Sequence, residues 1–294
     1  MEIGELVAVA VEAPHAKEGC PFCRPKEEVS KSNALDADQD EDAKPGNDTF
    51  NDSGTLATNL EARPQSSEVP AIPKKEKAPV LDMAMASAPG RTWHKRVYEA
   101  GQIPVLYGAH HLIPGNDAMK KSDLYTNKRL GPNDNGADAK NIGYNINSGN
   151  NGYWLPGNYA VRPWKGIDGE FQKAYAFLAM HDAKRQFHDA HKPFSEYIRN
   201  ELNDLDKLVE HMEKKGCPVC KKGADKDEPN YHLNSRLNAI SSHITMSIGP
   251  ALAEWKIPAL TSSWCELYVE YVAENGEQAI EDLRSNPDVS AGSG

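Results

Sequence analysis

The chain predicts an α+β protein that is mostly helical, and three observations carry that prediction. The apolar run Tyr107-Gly108-Ala109-His110-His111-Leu112-Ile113-Pro114 has the length and make-up of a short strand. From Glu170 onward, apolar residues recur every three or four positions, the period of helices that bury one face. Residues 24 to 88 lack the apolar and aromatic content a core requires, so the ordered elements are expected on either side of them.

In chain order, Ile3 to Ala13 carries Val7, Val9 and Val11 with alanines between them, a strand with one heavier face. It leads into Gly19-Cys20-Pro21-Phe22-Cys23, a pattern repeated as Gly216-Cys217-Pro218-Val219-Cys220. Each Cys-Pro-x-Cys turn can present two thiolates to one ion, and two such turns complete a tetrahedral zinc site. The preferred expectation is therefore one structural zinc on Cys20, Cys23, Cys217 and Cys220, a staple between the N-terminal segment and the end of a later helix. Two separate weak sites or a redox dithiol compete with it, although neither pair precedes a thioredoxin-like βαβ pattern. Cys265, between Trp264 and Glu266, is expected to pack as a small core residue.

The chain then divides as 1–23, 24–88 and 89–294. The middle segment includes Asp36-Ala37-Asp38-Gln39-Asp40-Glu41-Asp42 and reads as an acidic disordered linker. Arg91 to Arg96 is expected to form a short helix ahead of the strand at Tyr107. Gly131 to Gly136 is a loop, and Tyr144 with Ile146 predicts a second short strand ending in a turn over Ser148 to Gly152. Helices follow over Glu170 to about His188, from Pro193 to Gly216, through Leu233, Leu237, Ile240 and Ile244, and from Trp264 to Arg284.

Composition excludes a membrane-spanning protein, since runs such as Leu6 to Val11 fall far short of the ~20 apolar residues a spanning helix needs. Glu2 and Glu5 stand where a signal peptide would carry basic residues, so any export is expected to use a signal-peptide-independent route. The net charge of -10 argues against a nucleic-acid partner until its distribution is considered. Residues 91–165 carry 10 Lys and Arg against 5 Asp and Glu, whereas the flanking segments are acidic. Within that basic stretch, Lys120, Lys121, Lys128 and Arg129 are candidate phosphate contacts.

The adjacent histidines suggest a division of labour. Neighbours on a strand point to opposite faces, so one imidazole can bind a metal while the other accepts a proton from an attacking water. Downstream come Asn151-Gly152 with Leu155-Pro156, and then Phe187-His188-Asp189-Ala190-His191, ahead of Tyr197. Together with Ala109-His110-His111, this order resembles the AHH branch of the HNH nucleases, which occur as toxin domains of bacterial polymorphic toxins and secreted effectors. The resemblance covers residues 105 to 200.

It implies a ββα-metal core, to which helical periodicity adds C-terminal helices and the cysteine spacing adds the zinc staple. His111 would be the general base and His110 a metal ligand, with His188, His191 and less strongly His181 completing the ligand set. Asn151 would hold the loop and the orientation of the base through backbone hydrogen bonds. The implied cofactor is one divalent ion, magnesium, nickel or zinc. The implied partners are DNA or RNA as substrate, a cognate immunity protein and a secretion carrier such as a type VI system. The protein would then be made in one cytoplasm and act in that of a target cell. A non-catalytic, zinc-stapled helical module that binds another protein is the alternative reading. A zinc deaminase is set aside, because Pro218 falls between Cys217 and Cys220 instead of before them.

Overall fold

The computed structural model describes residues 49–62, 80–82, 102–130, 142–157, 169–189, 192–215, 232–249, 252 and 255–285. The expected N-terminal strand, the helix at 91–96, the loop at 131–136, His191 and the four cysteines of the zinc staple lie outside them. The described elements are α1 (Ser53–Ala62), β1 (Val80–Asp82), β2 (Gln102–Pro104), β3 (Leu106–His111), the single turn α2 (Asp123–Thr126) and β4 (Gly152–Gly157). These are followed by α3 (Gly169–Ala183), α4 (Lys192–Lys215), α5 (His232–Ile248), α6 (Ser263–Asn275) and α7 (Gln278–Ser285). The described residues are mostly helical, with two sheets of two strands each among them. β1 pairs antiparallel with β2, Leu81 opposite Ile103, and β3 pairs with β4. No helix among the described residues is long and apolar enough to cross a membrane.

The chain divides into two compact units. One holds residues 1–63, 111–153 and 195–244; the other holds 64–110, 154–194 and 245–294. In the first unit Leu56, Leu112, Ile113, Ile146, Ile198, Leu202 and Leu205 are fully or almost fully buried. α4 supplies three of these at the spacing its sequence predicts, and Pro193 opens it, where a missing N–H costs no hydrogen bond.

The core of the second unit is formed by α3 from Ala174 to Met180, joined by Phe187, Trp255, Cys265, Tyr268, Ile280 and Leu283. Phe177 meets the Tyr268 ring edge to face at 5.4 Å between centroids, a preferred arrangement of aromatic quadrupoles. Gln186, wholly buried, knits this core with its side-chain amide: Oε1 accepts from the Thr261 N–H at 2.7 Å and Nε2 donates to the Ala259 carbonyl at 3.2 Å.

Four elements differ from expectation. α1 stands inside the stretch read as disordered linker, since Leu56 and Leu60 bury enough apolar surface to fold a helix that the acidic average of the segment conceals. The second strand follows Asn151, as β4, while Tyr144 and Ile146 lie buried in the irregular segment before it. α3 stops at Ala183, ahead of His188: Lys184 adopts φ 50°, and the Arg185 N–H returns to the Met180 carbonyl, a left-handed cap that ends the helix. The single helix expected from Trp264 to Arg284 breaks at Gly276, whose φ of 80° favours a residue without a Cβ.

Candidate active site

His110 and His111 end strand β3, both buried, and belong to different units. In the unit of His110, its ring stands edge-on to the ring of His188, with centroids 5.0 Å apart and planes at 70°. Phe194, the third residue of α4, backs His110 at 5.2 Å. His188 is placed by a bridge to β4: its N–H donates to the Pro156 carbonyl at 2.7 Å, and His188 pairs with Gly157. The Leu155-Pro156 motif therefore fixes the backbone from which His188 projects.

The separation of the two ring centres is one that imidazoles on a shared ion can adopt. With metal–nitrogen bonds of roughly 2.0–2.1 Å and each ring centre about 1.1 Å behind its nitrogen, two imidazoles on a tetrahedral ion have centroids roughly 5 Å apart. His110 and His188 fit that arrangement.

In the other unit, His111 Nε2 lies 2.8 Å from the side-chain oxygen of Asn147. Asn151 is nearly inaccessible and fully satisfied. Its Oδ1 accepts from the Ile113 N–H at 2.8 Å and the Ser241 hydroxyl at 2.9 Å, and its Nδ2 donates to the carbonyls of Ile113 at 3.1 Å and Ile146 at 2.8 Å. Both donors and both acceptors of the amide are used, so Asn151 clamps the backbone after β3 to the turn before β4. The bond from the Leu112 N–H to the Asn151 carbonyl, 2.9 Å, reinforces the same clamp.

His181 is held elsewhere. Its Nε2 is 3.0 Å from Glu281 Oε1 and its Nδ1 is 3.4 Å from the Tyr268 hydroxyl. His181, Asp182 and Glu281 bring three ligand-type atoms within 4.8 Å of one another. However, Arg284 bonds both carboxylates, with Nε 2.5 Å from Glu281 and a further bond to Asp182. Those bonds hold the Glu281 carboxyl below its usual range, with Arg284 the largest cause. A guanidinium thus already supplies the positive charge in that cluster, which ties α3 to α7.

The four basic candidates separate into two kinds. Arg129 is taken up by α4: its Nε is 2.8 Å from Asp206 Oδ1, and its guanidinium also bonds Glu213. Lys121 pairs with Asp117 at 2.7 Å while remaining exposed, so water screens that ion pair. The Lys120 amine is 3.1 Å from Asn116 Oδ1 and lies 3.2 Å from the centre of the exposed Phe50 ring. Lys128 is exposed in a left-handed turn with φ 56°. The lysines are placed to meet an anion, whereas Arg129 would first have to leave two carboxylates.

Two features escaped the sequence reading. Asn147 is one of four asparagines between positions 145 and 151, and nothing in that run distinguishes it. The support that α1 gives to this region carried no sequence motif.

In comparison with known proteins, residues 96–217 match the model of AHH, described as a nuclease family of the HNH/ENDO VII superfamily with conserved AHH. No curated protein and no solved structure matches the chain.

Proposed function

We propose, from the match of residues 96–217 to the AHH nuclease family of the HNH/ENDO VII superfamily, that the protein is a metal-dependent endonuclease that hydrolyses the phosphodiester bonds of DNA and acts as an antibacterial effector. The observation that carries this reading is the edge-on pair of buried His110 and half-buried His188, with His110 backed by Phe194. His191 stands three residues beyond His188 and is the proposed next ligand.

The bound divalent ion would supply a Lewis acid for a phosphoryl oxygen and the leaving oxygen. His110 and His188 would hold it. His111 takes a proton from the attacking water, and burial keeps its ring from turning away from that task. Asn151 positions: its side-chain bonds to Ile113 and Ile146 fix the backbone that follows the base and tie it to the turn before β4. Lys120, Lys121 and Lys128 attract the phosphate backbone without reading sequence. The four-cysteine zinc staple, the immunity protein, the secretion carrier and action in a target-cell cytoplasm belong to the same proposal and rest on the sequence.

Metal titration by calorimetry and nicking of supercoiled plasmid test this reading together. In the folded His188→Ala variant, nickel or zinc affinity should fall roughly 10- to 100-fold or more, and nicking should fall with it. Unchanged affinity and unchanged nicking would remove His188 from the ligand set.

A further inference from the structure

The identity of the atoms around Asn147 fixes the proton of His111. Asn147 is 2 % exposed, and its amide touches two backbone groups whose chemistry leaves no choice. Oδ1 accepts from the Asp52 N–H at 2.9 Å, and Nδ2 donates to the Phe50 carbonyl at 3.0 Å. Turning the amide over would set its NH2 against an N–H and its oxygen against a carbonyl, losing two hydrogen bonds to repulsion. The oxygen therefore faces His111, 2.8 Å from Nε2. An amide oxygen only accepts, so Nε2 must carry the hydrogen. In the neutral ring the lone pair then belongs to Nδ1.

The backbone of Asn147 is held as well, in part by the same segment. The Asn59 side chain, from α1, donates to the Asn147 carbonyl at 2.8 Å, and the Asn147 N–H is bonded to Asn145 Oδ1 at 2.8 Å. α1 is itself anchored. Asp52 caps its first turn through the N–H groups of Gly54 at 2.9 Å and Thr55 at 3.1 Å, and through the Thr55 hydroxyl at 2.9 Å. Leu56 and Leu60 press so closely on Gly152 that a Cβ there would lie 2.8 Å from both. Asn51 Oδ1 accepts from the Gly115 N–H at 2.6 Å, just beyond the His-His strand.

Residues 50–62 precede the family match, which begins at residue 96. We propose that this N-terminal segment is an integral part of the nuclease: Phe50, Asp52 and Asn59 lock Asn147, and Asn147 holds His111 as the Nε2–H tautomer, leaving Nδ1 as the atom that takes the proton from water. Asn147 is a positioning residue, acting only through His111. The proposal rests on the nuclease reading for its role in catalysis, but not for the tautomer.

The test is imidazole long-range 1H–15N correlation on the full chain labelled at histidine, without transition metal, with His111 assigned by the signal lost in His111→Ala. The wild-type neutral ring should show a protonated Nε2 and a bare Nδ1. Asn147→Ala should lose that preference and lower kcat for supercoiled plasmid with magnesium by roughly 10²-fold or more, with KM moving less than about threefold. Asn147→Asp, which keeps an acceptor toward Nε2, should restore the tautomer and part of kcat. A wild-type His111 with its hydrogen on Nδ1 overturns the proposal whether or not DNA is cut. So does an Asn147→Ala protein with unchanged tautomer and unchanged kcat. A wild type that cuts nothing yet shows the Nε2–H ring would instead defeat the nuclease reading and leave the locked tautomer standing.

Discussion

At the scale of single residues, the immediate partners of a buried side chain decide what it can do. His110 and His111 are neighbours in sequence but face different demands, one beside a second imidazole and the other against an amide oxygen. The His-His dipeptide and the Asn151-Gly152 motif stand out in the sequence because their order and spacing carry the family pattern. Asn147 was not legible, because its role depends on what the backbone of residues 50 and 52 presents to it, and no local pattern encodes a partner 95 positions away. Cys265 shows the opposite case. Its place between aromatic and helical residues predicted a core thiol, and it is wholly buried, with burial pushing its pKa up to about 11. The Phe187 N–H donates to its sulfur at 3.3 Å. Since the thiolate is the reactive form, Cys265 should stay unmodified when the folded protein is treated with iodoacetamide at pH 8 and become modified on unfolding, as read by peptide mass mapping. Rapid labelling in the folded state would contradict its burial.

At the scale of elements, periodicity and punctuation explain most of what the sequence revealed. α4 and α5 were visible because Ile198, Leu202, Leu205, Val209 and then Leu233, Leu237, Ile240, Ile244 repeat at helical spacing and are buried. The end of α3 was misjudged because a left-handed Lys184 stops it, and lysine is not a usual residue for that conformation. The division between α6 and α7 did have a signal, Asn275-Gly276, inside an otherwise continuous apolar rhythm. α1 was lost in an acidic average, since Leu56 and Leu60 are its only large apolar residues, and they suffice only because Gly152 lets the helix come close. Truncating Leu56, whose side chain is fully buried, should therefore act as a core deletion. Leu56→Ala is expected to cost about 2–5 kcal/mol in urea unfolding. A loss below about 0.5 kcal/mol would mean that α1 contributes little to its unit.

At the scale of the whole molecule, the segment that matches the AHH family is flanked by sequence that is acidic on both sides. The surplus of Lys and Arg in residues 91–165 places positive charge in the stretch that also contains both strand histidines and Asn151. Attraction to phosphate should then be local and salt-sensitive, while the overall negative charge limits binding to nucleic acid elsewhere on the surface. The central claim is that His111 activates water for metal-dependent cleavage of DNA. Its most direct test is cleavage of supercoiled plasmid, with total RNA in parallel, by the full chain under added magnesium, nickel or zinc, alongside His111→Ala. The expected result is metal-dependent conversion of plasmid to nicked and linear forms, reduced roughly 10²- to 10⁴-fold in the variant. A folded protein that cuts neither nucleic acid under any of these metals, or a variant that cuts as well as wild type, would contradict it.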